Sequence, residues 1–349
     1  MSLNISFIKY EDSHSQAWES VNQATNATFL TSINWINFQK SLGKEVEMYL
    51  IQYNGEFIGN FYIEIFRRKI AKYAYSPYGP VFGLSKINLG GNILADFFNE
   101  IKKWEFKFAT ERNLNCFRID PLVLAENLPT LKSVGYVQSM APTQAKYVWQ
   151  IDIQKDEEQL LADMKKVARY NIRNSAKAGI VVEKANSVEQ VKEFYKILSS
   201  TTQRHDFASF SEEYFIKQFE NIGSMFNLYL AKFNGQYISG ALVNTYGTTG
   251  YYSHGGSLNN KELQKYGASY LLHWEVIKDL KKNGFSTYNM WGIVPEGKSV
   301  NNGMQGVSEF KKRFGGQEID YVGGLDIPVN VNYKLQRLME TYIYRKDRY

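Results

Sequence analysis

The sequence contains a single cysteine, Cys116, and only four histidines in 349 residues. One cysteine excludes an internal disulfide and a zinc cluster of several thiolates. The histidines, His14, His205, His254 and His273, show no metal-ligand spacing such as H-E-x-x-H, so no metal site is predicted. No apolar run approaches the roughly 20 residues of a membrane span, and the N-terminus lacks a signal-peptide core. These absences predict a soluble, cytoplasmic protein without metal or disulfides.

The remaining composition is that of a globular protein. Hydrophobic residues make up 44% and charged residues 22% of a chain long enough for two cores. Aromatic residues make up 15%, which fits either a dense core or a groove for an extended ligand. The formal net charge of +6 favours anionic partners such as phosphates, nucleotides or RNA, although a mildly basic soluble protein has the same balance.

Two stretches of the sequence repeat one hairpin pattern. YLIQYNGEFIG begins at Tyr49 and YLAKFNGQYISG begins at Tyr229, and in each an Asn-Gly pair separates alternating apolar residues, as in a β-hairpin. Each copy is followed, in the same order, by extended tyrosine-rich runs, glycines, a helical pattern (residues 93–111 and 270–282) and a strand (residues 116–120 and 287–292). This agreement predicts a tandem duplication with two similar α/β lobes.

The order of elements also sets the expected domains. We predict a first lobe over residues 1–150, closed by the strand KYVWQIDI, and a second lobe over residues 151–317. Residues 318–349 are expected to return to the first lobe. Their last part, NYKLQRLMETYIYRKDRY, predicts a basic amphipathic helix that packs on a lobe, with an exposed or RNA-contacting helix as the alternative. The repeated unit resembles the central part of the GNAT acyltransferase fold.

Residues 156–180, DEEQLLADMKKVARYNIRNSAKAGI, predict one helix. Acidic residues in its first turn and basic residues in its later turns suit the helix dipole, and Gly179 is expected to end it. Lys165, Arg169, Arg173 and Lys177 recur at steps of four and form one stripe without an acidic residue. Because like charges repel, the stripe indicates contact with a polyanion such as a phosphate backbone, or else a solvated face.

The stretch SEFKKRFGG, residues 308–316, predicts a strand with Lys311 and Arg313 on one face, between Phe310 and Phe314. A lysine in an aromatic, partly dry site has a weakly screened field, which stabilises a phosphate or a developing oxyanion. A surface strand with snorkelling lysines is the alternative.

Two turns add further candidate sites. YSPYGPV, residues 75–81, predicts a stiff turn between two prolines, where Gly79 allows a ligand or another chain close to the backbone; a purely structural turn is the alternative. Gln264-x-x-Gly267-x-Ser269 resembles the loop with which GNAT enzymes hold the pyrophosphate of acetyl-CoA through backbone N–H groups, although its last position departs from that pattern.

Taken together, these segments resemble the Fem family of peptidoglycan-bridge aminoacyltransferases. The resemblance covers nearly the whole chain, in order. Its residues are Trp35, YSPYGPV, RIDP (residues 118–121), MKKVARYNIRNSAKAGI, YYSHGG, YLLHWEVIKDLKKNG, TYNMWGI, EFKKRFGGQ and YVGGLDIPV. The resemblance implies an α/β fold of two tandem GNAT-like lobes. Since no heptad run is present, it implies the compact FemX type, without a coiled-coil arm.

The resemblance also implies an activity. Such proteins transfer an amino acid from aminoacyl-tRNA to the side-chain amine of the stem-peptide lysine in a peptidoglycan precursor, either UDP-MurNAc-pentapeptide or a lipid-linked muropeptide. The implied partners are therefore these two substrates. No cofactor, no DNA and at most peripheral membrane contact are expected, and the protein is expected to be a monomer.

Individual residues follow from the same resemblance. Lys311 is implied as the catalytic lysine, and Asp120 matches an acidic position near the active-site groove. Either Asp120 or a carboxylate of the substrate itself is expected to take the proton of the acceptor amine. The implied precursor-binding residues are Lys40, Tyr78, Tyr214, Tyr252, Phe310 and Arg313. The implied tRNA-binding residues are Lys165, Arg169 and Arg173. The family arginine near Tyr214 has no clear counterpart, and Arg204 and Arg313 are the candidates for its role.

Two other functions remain open from the sequence. An acetyl-CoA-dependent N-acyltransferase would use the loop from Gln264 to Ser269. A non-catalytic protein that binds RNA or a cell-wall precursor would use the same basic and aromatic residues without transfer.

Overall fold

The computed structural model describes residues 3–84, 92–141, 144–205, 210–298 and 304–344, with the side chains of 202–205 left out. The chain forms two compact units. Unit 1 is Met1–Lys146 with Asp320–Arg348, and unit 2 is Tyr147–Ile319. The predicted boundaries, after residues 150 and 317, lie four residues beyond and two residues before these limits.

The described strands are β1 (Ile5–Lys9), β2 (Glu45–Tyr53), β3 (Glu56–Arg67), β4 (Lys72–Ser76), β5 (Val81–Phe82), β6 (Cys116–Ile119), β7 (Val137–Gln138), β8 (Tyr147–Asp152), β9 (Val181–Lys184), β10 (Phe226–Phe233), β11 (Gln236–Tyr246), β12 (Thr249–Ser257), β13 (Thr287–Gly292), β14 (Gln317–Asp320) and β15 (Leu325–Pro328). The described helices are α1 (Ser15–Ala24), α2 (Ile33–Ser41), α3 (Ile93–Glu111), α4 (Leu128–Val134), α5 (Glu157–Asp163), α6 (Lys166–Lys177), α7 (Val188–His205), α8 (Glu212–Asn221), α9 (Lys261–Gln264), α10 (Ala268–Lys282), α11 (Met304–Lys312) and α12 (Asn332–Ile343).

The two sheets share one plan. The sheet of unit 1 has the order β1-β2-β3-β4-β6-β15-β7, with β5 paired to β3, and the other has the order β9-β10-β11-β12-β13-β8-β14. In each sheet a run of antiparallel strands ends at one parallel pair, β4 with β6 and β12 with β13. A parallel pair needs a crossover, which contains α3 in unit 1 and α10 in unit 2. The predicted α/β fold of two GNAT-like units is confirmed.

The repeated hairpins agree even in their irregularities. Asn54, Gly55, Asn234 and Gly235 all have positive φ, between 46° and 91°, as a type I′ turn requires. The register of β2 with β3 shifts between Ile51 and Gln52, and that of β10 with β11 shifts between Ala231 and Lys232. Both shifts lie at the same distance before the Asn-Gly pair, so the bulge belongs to the repeated unit.

The strand KYVWQIDI was assigned to the wrong lobe by the sequence. It forms β8, which pairs with β13 (Tyr288 opposite Ile151) and therefore belongs to the sheet of unit 2. Its alternating pattern identifies a strand but contains no information about the distant partner that completes its hydrogen bonds.

The single helix predicted over residues 156–180 is also wrong. The chain is extended at Met164 and Lys165, with ψ of 150° and 148°, so α5 and α6 are separate helices. The Arg169 guanidinium donates to the carbonyls of Leu161 (3.3 Å) and Ala162 (3.1 Å) at the end of α5, while the Lys165 N–H donates to the Arg313 carbonyl at 2.9 Å. These contacts satisfy backbone groups that a continuous helix would pair internally.

The strand predicted for residues 308–316 is wrong, because residues 308–312 belong to a helix and residues 313–316 follow it as a turn. α11 ends at Lys312, and Ser308 and Lys311, three residues apart, are buried on one side of it. Phe310 and Phe314 are spaced by four residues, which fits one helix face as well as one strand face, so the short pattern did not discriminate.

The C-terminal segment is fixed to unit 1 by a buried polar network. β15 lies between β6 and β7. Arg118 donates to Asp326 through Nε (2.6 Å) and Nη2 (2.9 Å), and Nη2 also donates to Glu340 of α12 at 2.8 Å. The Tyr333 hydroxyl donates to Asp326 at 2.9 Å.

None of the helices in the part of the chain that the structure describes has the length and apolar character needed to cross a bilayer.

Candidate active site

A cavity of about 980 Å³ in unit 2 contains the predicted catalytic lysine. Ser308 fixes α11 over it, since the Val294 N–H donates to the Ser308 hydroxyl at 2.8 Å. The last turn of α11 directs Lys311 inward, where Nζ donates to the Gly292 carbonyl at 2.7 Å and lies 5.7 Å from the centre of the Tyr252 ring. Next to Gly292, the last residue of β13, Trp291 has a left-handed φ of 64°.

Lys311 lies in the wall of the cavity with little contact to solvent. Its side chain is buried, and burial lowers its pKa from 10.5 to about 7. Its described partners are a carbonyl and an aromatic ring, neither of which neutralises an ammonium group. The field of the charged form is therefore weakly screened inside the cavity.

Two histidines of the cavity stay neutral at physiological pH. Burial, and secondarily the charge of Lys311, lower the pKa of His273 to about 3, and burial lowers that of His254 to about 4. The His273 Nδ1 lies 2.8 Å from the Tyr288 hydroxyl. Sequence reasoning did not assign either histidine a role, although both occur in the motifs YYSHGG and YLLHW.

The structure brings four predicted site residues together. Tyr252, Phe310, Lys311 and Arg313 all line the cavity. Phe310 packs edge-on against Tyr270 with ring centres 5.1 Å apart, and Arg313 donates to the hydroxyl of the same tyrosine. Burial raises the pKa of Tyr252, so its hydroxyl remains protonated.

Tyr214 lies beside the cavity wall. It stacks on Phe210 with ring centres 4.0 Å apart, and the Phe210 ring meets His254 edge-on at 5.7 Å. Phe215 makes a second link, since its ring meets Tyr214 edge-on at 5.4 Å and His254 at 5.1 Å. The side chain of the other arginine candidate, Arg204, lies outside the described residues.

Asp120 and Tyr78 belong to unit 1 and hold a turn. The Asp120 carboxylate accepts the Tyr78 N–H at 2.6 Å, the Tyr75 hydroxyl at 2.8 Å and the Gln144 N–H at 2.7 Å. Tyr78 is buried, has φ of 49° and donates its hydroxyl to the Ala145 carbonyl at 2.8 Å. The observed role of Asp120 is thus to fix the left-handed turn.

The remaining cationic residues differ in their surroundings. Lys40 is exposed at the end of α2, with Nζ 3.8 Å from the Met48 sulfur. Lys165 and Arg173 are exposed, and Lys165 also lines a second cavity of about 770 Å³ in unit 2. Arg169 is partly buried and uses Nη1 to cap the carbonyls of α5, so it differs from the two exposed members of the predicted stripe, and its contact with tRNA stays a prediction.

One side of the loop expected to hold acetyl-CoA is covered by α6, whereas Gln264 and Ser269 line the cavity that contains Lys311. Gly267 precedes α10 with φ of 69°, and a Cβ added to it would lie within 3 Å of the Asn171 side chain. Ser175 donates its hydroxyl to the Tyr266 carbonyl, and the Ser269 and Ser239 hydroxyls are 2.9 Å apart. A pyrophosphate would have to displace α6 to reach this side of the loop.

Comparison with known proteins identifies the family and the shared fold. A model of the FemAB family matches residues 129–237 and 234–341, which is more than half of the chain. The crystal structure of FemX superposes with a TM-score of 0.80 and 18% identity over 96% of this chain and 100% of that one. The structure of L-PGS from Bacillus licheniformis superposes with a TM-score of 0.58 and 11% identity, over 96% of this chain and 98% of that one.

A tandem GNAT protein from the clavulanic acid biosynthesis pathway gives a TM-score of 0.55 and 11% identity, over 94% of this chain and 99% of that one. No curated protein matches the sequence. At these identities the solved structures show the shared fold, while the family match shows the kinship that the motifs indicated. The chain belongs to the FemAB family.

Proposed function

We propose that the protein transfers an amino acid from aminoacyl-tRNA to the stem-peptide lysine amine of a peptidoglycan precursor, UDP-MurNAc-pentapeptide or a lipid-linked muropeptide. The observation that carries the proposal is the buried Lys311 ammonium in a large cavity, beside a carbonyl and an aromatic ring. The family match supports it. Action as a cytoplasmic monomer without a cofactor is part of the same proposal.

The proposed reaction needs little beyond positioning and charge. The donor ester is already activated, while the acceptor amine has a reference pKa of about 10.4 and must lose a proton before it attacks. Attack forms the new C–N bond, and collapse of the tetrahedral intermediate breaks the C–O bond to the tRNA 3′ oxygen. The charged form of Lys311 stabilises the oxyanion and that leaving oxygen.

The acceptor ammonium loses two protons: a carboxylate takes the first before attack and passes it to solvent, and the second leaves the nitrogen after the C–N bond forms and ends on the released 3′ oxygen. Asp120 is one proposed carrier, and a carboxylate of the substrate is the other. We favour the substrate, because three described hydrogen bonds already occupy Asp120. Tyr252, Phe310 and Arg313, on the cavity wall, are proposed to bind the precursor next to Lys311. Lys40, Tyr78 and Tyr214 remain proposed contacts to other parts of it.

Mass spectrometry tests the proposal directly. UDP-MurNAc-pentapeptide is incubated with the protein and a mixed aminoacyl-tRNA pool, and the precursor should gain the mass of one or more amino acids. Lys311→Met should abolish the product while precursor affinity remains near that of the wild type, because the charge acts in the transition state. Lys282→Ala, an exposed lysine at the end of α10, is the matched control. A Lys311→Met enzyme with a near-native rate contradicts the assigned role.

The tRNA surface has its own test. We propose that Lys165 and Arg173 contact tRNA phosphates, whereas Arg169 maintains the junction of α5 and α6. The Lys165→Ala/Arg173→Ala variant should flatten the slope of log affinity against log salt by about 1.4 to 1.8, since each lost contact removes about 0.7 to 0.9. An unchanged slope rules this surface out.

The same reaction mixtures distinguish the proposed function from two alternative functions. Acyl transfer from acetyl-CoA in the absence of tRNA would establish a GNAT N-acyltransferase. The contact of Asn171 with Gly267 argues against this function, because it covers one side of the loop that would hold acetyl-CoA. Binding of tRNA or precursor without any transfer would establish a non-catalytic protein.

A further inference from the structure

The C-terminal helix, α12, buries polar side chains and exposes apolar ones. The side chains that it buries are polar, Tyr333, Gln336 and Glu340. On its outer side, Val331, which precedes α12, is 79% exposed, and Leu335, Leu338 and Tyr342 are 56%, 67% and 70% exposed. A helix on the surface of a soluble protein ordinarily shows the opposite arrangement, with the apolar stripe inward.

These exposed residues form one stripe. They follow one another at intervals of four, three and four residues, which places them on a single line along a helix. At 100° per residue that line is opposite to the line of Tyr333, Gln336 and Glu340. A contiguous exposed apolar surface of this kind marks an interaction site, whereas scattered exposed residues do not.

Cationic residues surround the stripe. Lys334 is exposed on α12 itself. The turn between β3 and β4 contributes exposed Arg68 and Lys69 together with Ile70, which is 39% exposed. Asn115 places this turn beside α12, because its amide donates both to the Ile70 carbonyl at 2.8 Å and to the Gln336 side chain at 2.9 Å.

The acidic residue of α12 does not offset this charge on the surface. Glu340 is buried and accepts from Arg118 at 2.8 Å. Among the described residues, the surface is therefore apolar along the helix, with the cations Lys334, Arg68 and Lys69 beside it.

We propose that this surface, called the α12 surface (Val331, Leu335, Leu338, Tyr342, Lys334, Arg68, Lys69 and Ile70), binds an anionic phospholipid bilayer. A single helix is convex, and a bilayer receives a convex helix without a complementary groove. The apolar stripe enters the boundary between headgroups and acyl chains, and the cations meet anionic headgroups. Self-association through the same stripe would place two surfaces of the same positive charge against each other, which favours the anionic bilayer as the partner.

Vesicle flotation with the full chain tests the proposal. The protein should float with vesicles of equimolar phosphatidylglycerol and phosphatidylcholine, less so as salt increases, and should stay unbound with phosphatidylcholine alone. Leu335→Gln/Leu338→Gln should lower the partition coefficient about ten-fold or more, because two apolar side chains no longer enter the bilayer. Lys69→Glu/Lys334→Glu should abolish the preference for anionic vesicles.

Matched controls separate the stripe from general surface polarity. Val181→Gln/Phe106→Gln changes two other exposed apolar residues and should leave flotation unchanged. The thermal transition of the leucine variant should match that of the wild type, since both leucines are exposed. Transfer to the soluble nucleotide-linked acceptor should also be unaffected by this variant, so membrane binding and the proposed activity succeed or fail separately.

Three outcomes overturn the proposal. In the first, the leucine variant floats like the wild type. In the second, the control variant loses flotation to the same extent. In the third, the wild type forms dimers in the ultracentrifuge that the leucine variant converts to monomers, and neither protein floats, which assigns the stripe to a second copy of the chain.

Discussion

Replacing Lys311 by methionine should make the protein more stable while it removes activity. Burial lowers the pKa of this lysine from 10.5 to about 7, and at about 1.4 kcal/mol per pKa unit the charged form costs about 5 kcal/mol. Methionine has a similar length and no charge. It leaves the Gly292 carbonyl without its hydrogen bond, which costs about 1–3 kcal/mol. The expected net gain near neutral pH is about 2–4 kcal/mol.

The pH dependence of this gain has a definite sign. The unfolded lysine titrates at 10.5 and the folded one at about 7, so between these values the unfolded state binds more protons and the wild type becomes more stable as pH rises. The advantage of Lys311→Met is therefore greatest below pH 7 and shrinks by about 1.4 kcal/mol per pH unit above it.

Urea unfolding of both proteins at several pH values from 6 to 9 measures this difference. Lys282→Met, at an exposed position, should show neither the gain nor its pH dependence. If Lys311→Met is less stable than the wild type at pH 6, or if its advantage is the same at every pH, then the lysine is not held in a dry site and the argument for its weakly screened charge fails.

Two buried ionisable groups of unit 1, Glu105 and the pair of Arg118 with Asp326, lead to further measurable predictions. Burial raises the pKa of Glu105 from 4.5 to about 8, although Tyr136 donates its hydroxyl to the carboxyl, so the folded state holds a proton that the unfolded state releases. The stability of Glu105→Gln relative to the wild type should therefore increase by about 1.4 kcal/mol per pH unit from pH 4.5 to pH 8. Urea unfolding measures this difference, and a difference that stays constant with pH would refute the prediction. Asp326→Ala leaves the Arg118 guanidinium with a buried, incompletely paired charge and should cost about 3–5 kcal/mol in thermal or urea unfolding. Glu45→Ala, in an exposed ion pair on the same sheet, should cost less than about 1 kcal/mol and serves as its control; equal losses would contradict the role of burial.

The sequence predicted the repeated elements because their signals are local. An Asn-Gly pair between alternating apolar residues specifies a type I′ hairpin from a few neighbouring residues, and both copies formed as expected. The break between α5 and α6 was missed because it depends on contacts of Arg169 and Lys165 outside the local pattern. The partner of β8 was missed for the same reason.

For the candidate site, the sequence predicted which residues take part, but their surroundings could be seen only in the structure. Lys311, Phe310 and Arg313 were proposed from their resemblance to a family motif, which fixes residue types without showing their surroundings. Only the fold shows that Lys311 is buried against a carbonyl, and that His273 lies near enough for the charge of Lys311 to lower its pKa. Asp120 illustrates the converse, since the motif RIDP identified a residue whose described bonds hold a turn.

The position of β15 between β6 and β7 has a consequence for the order in which the protein folds on the ribosome. β7 emerges early, yet the strand that joins it to the rest of its sheet is β15, made almost two hundred residues later. Unit 2 consists of one continuous stretch that is complete by Ile319, so translation delivers every residue of the second repeat before the first can close. The copy that begins earlier is thus the one that finishes last.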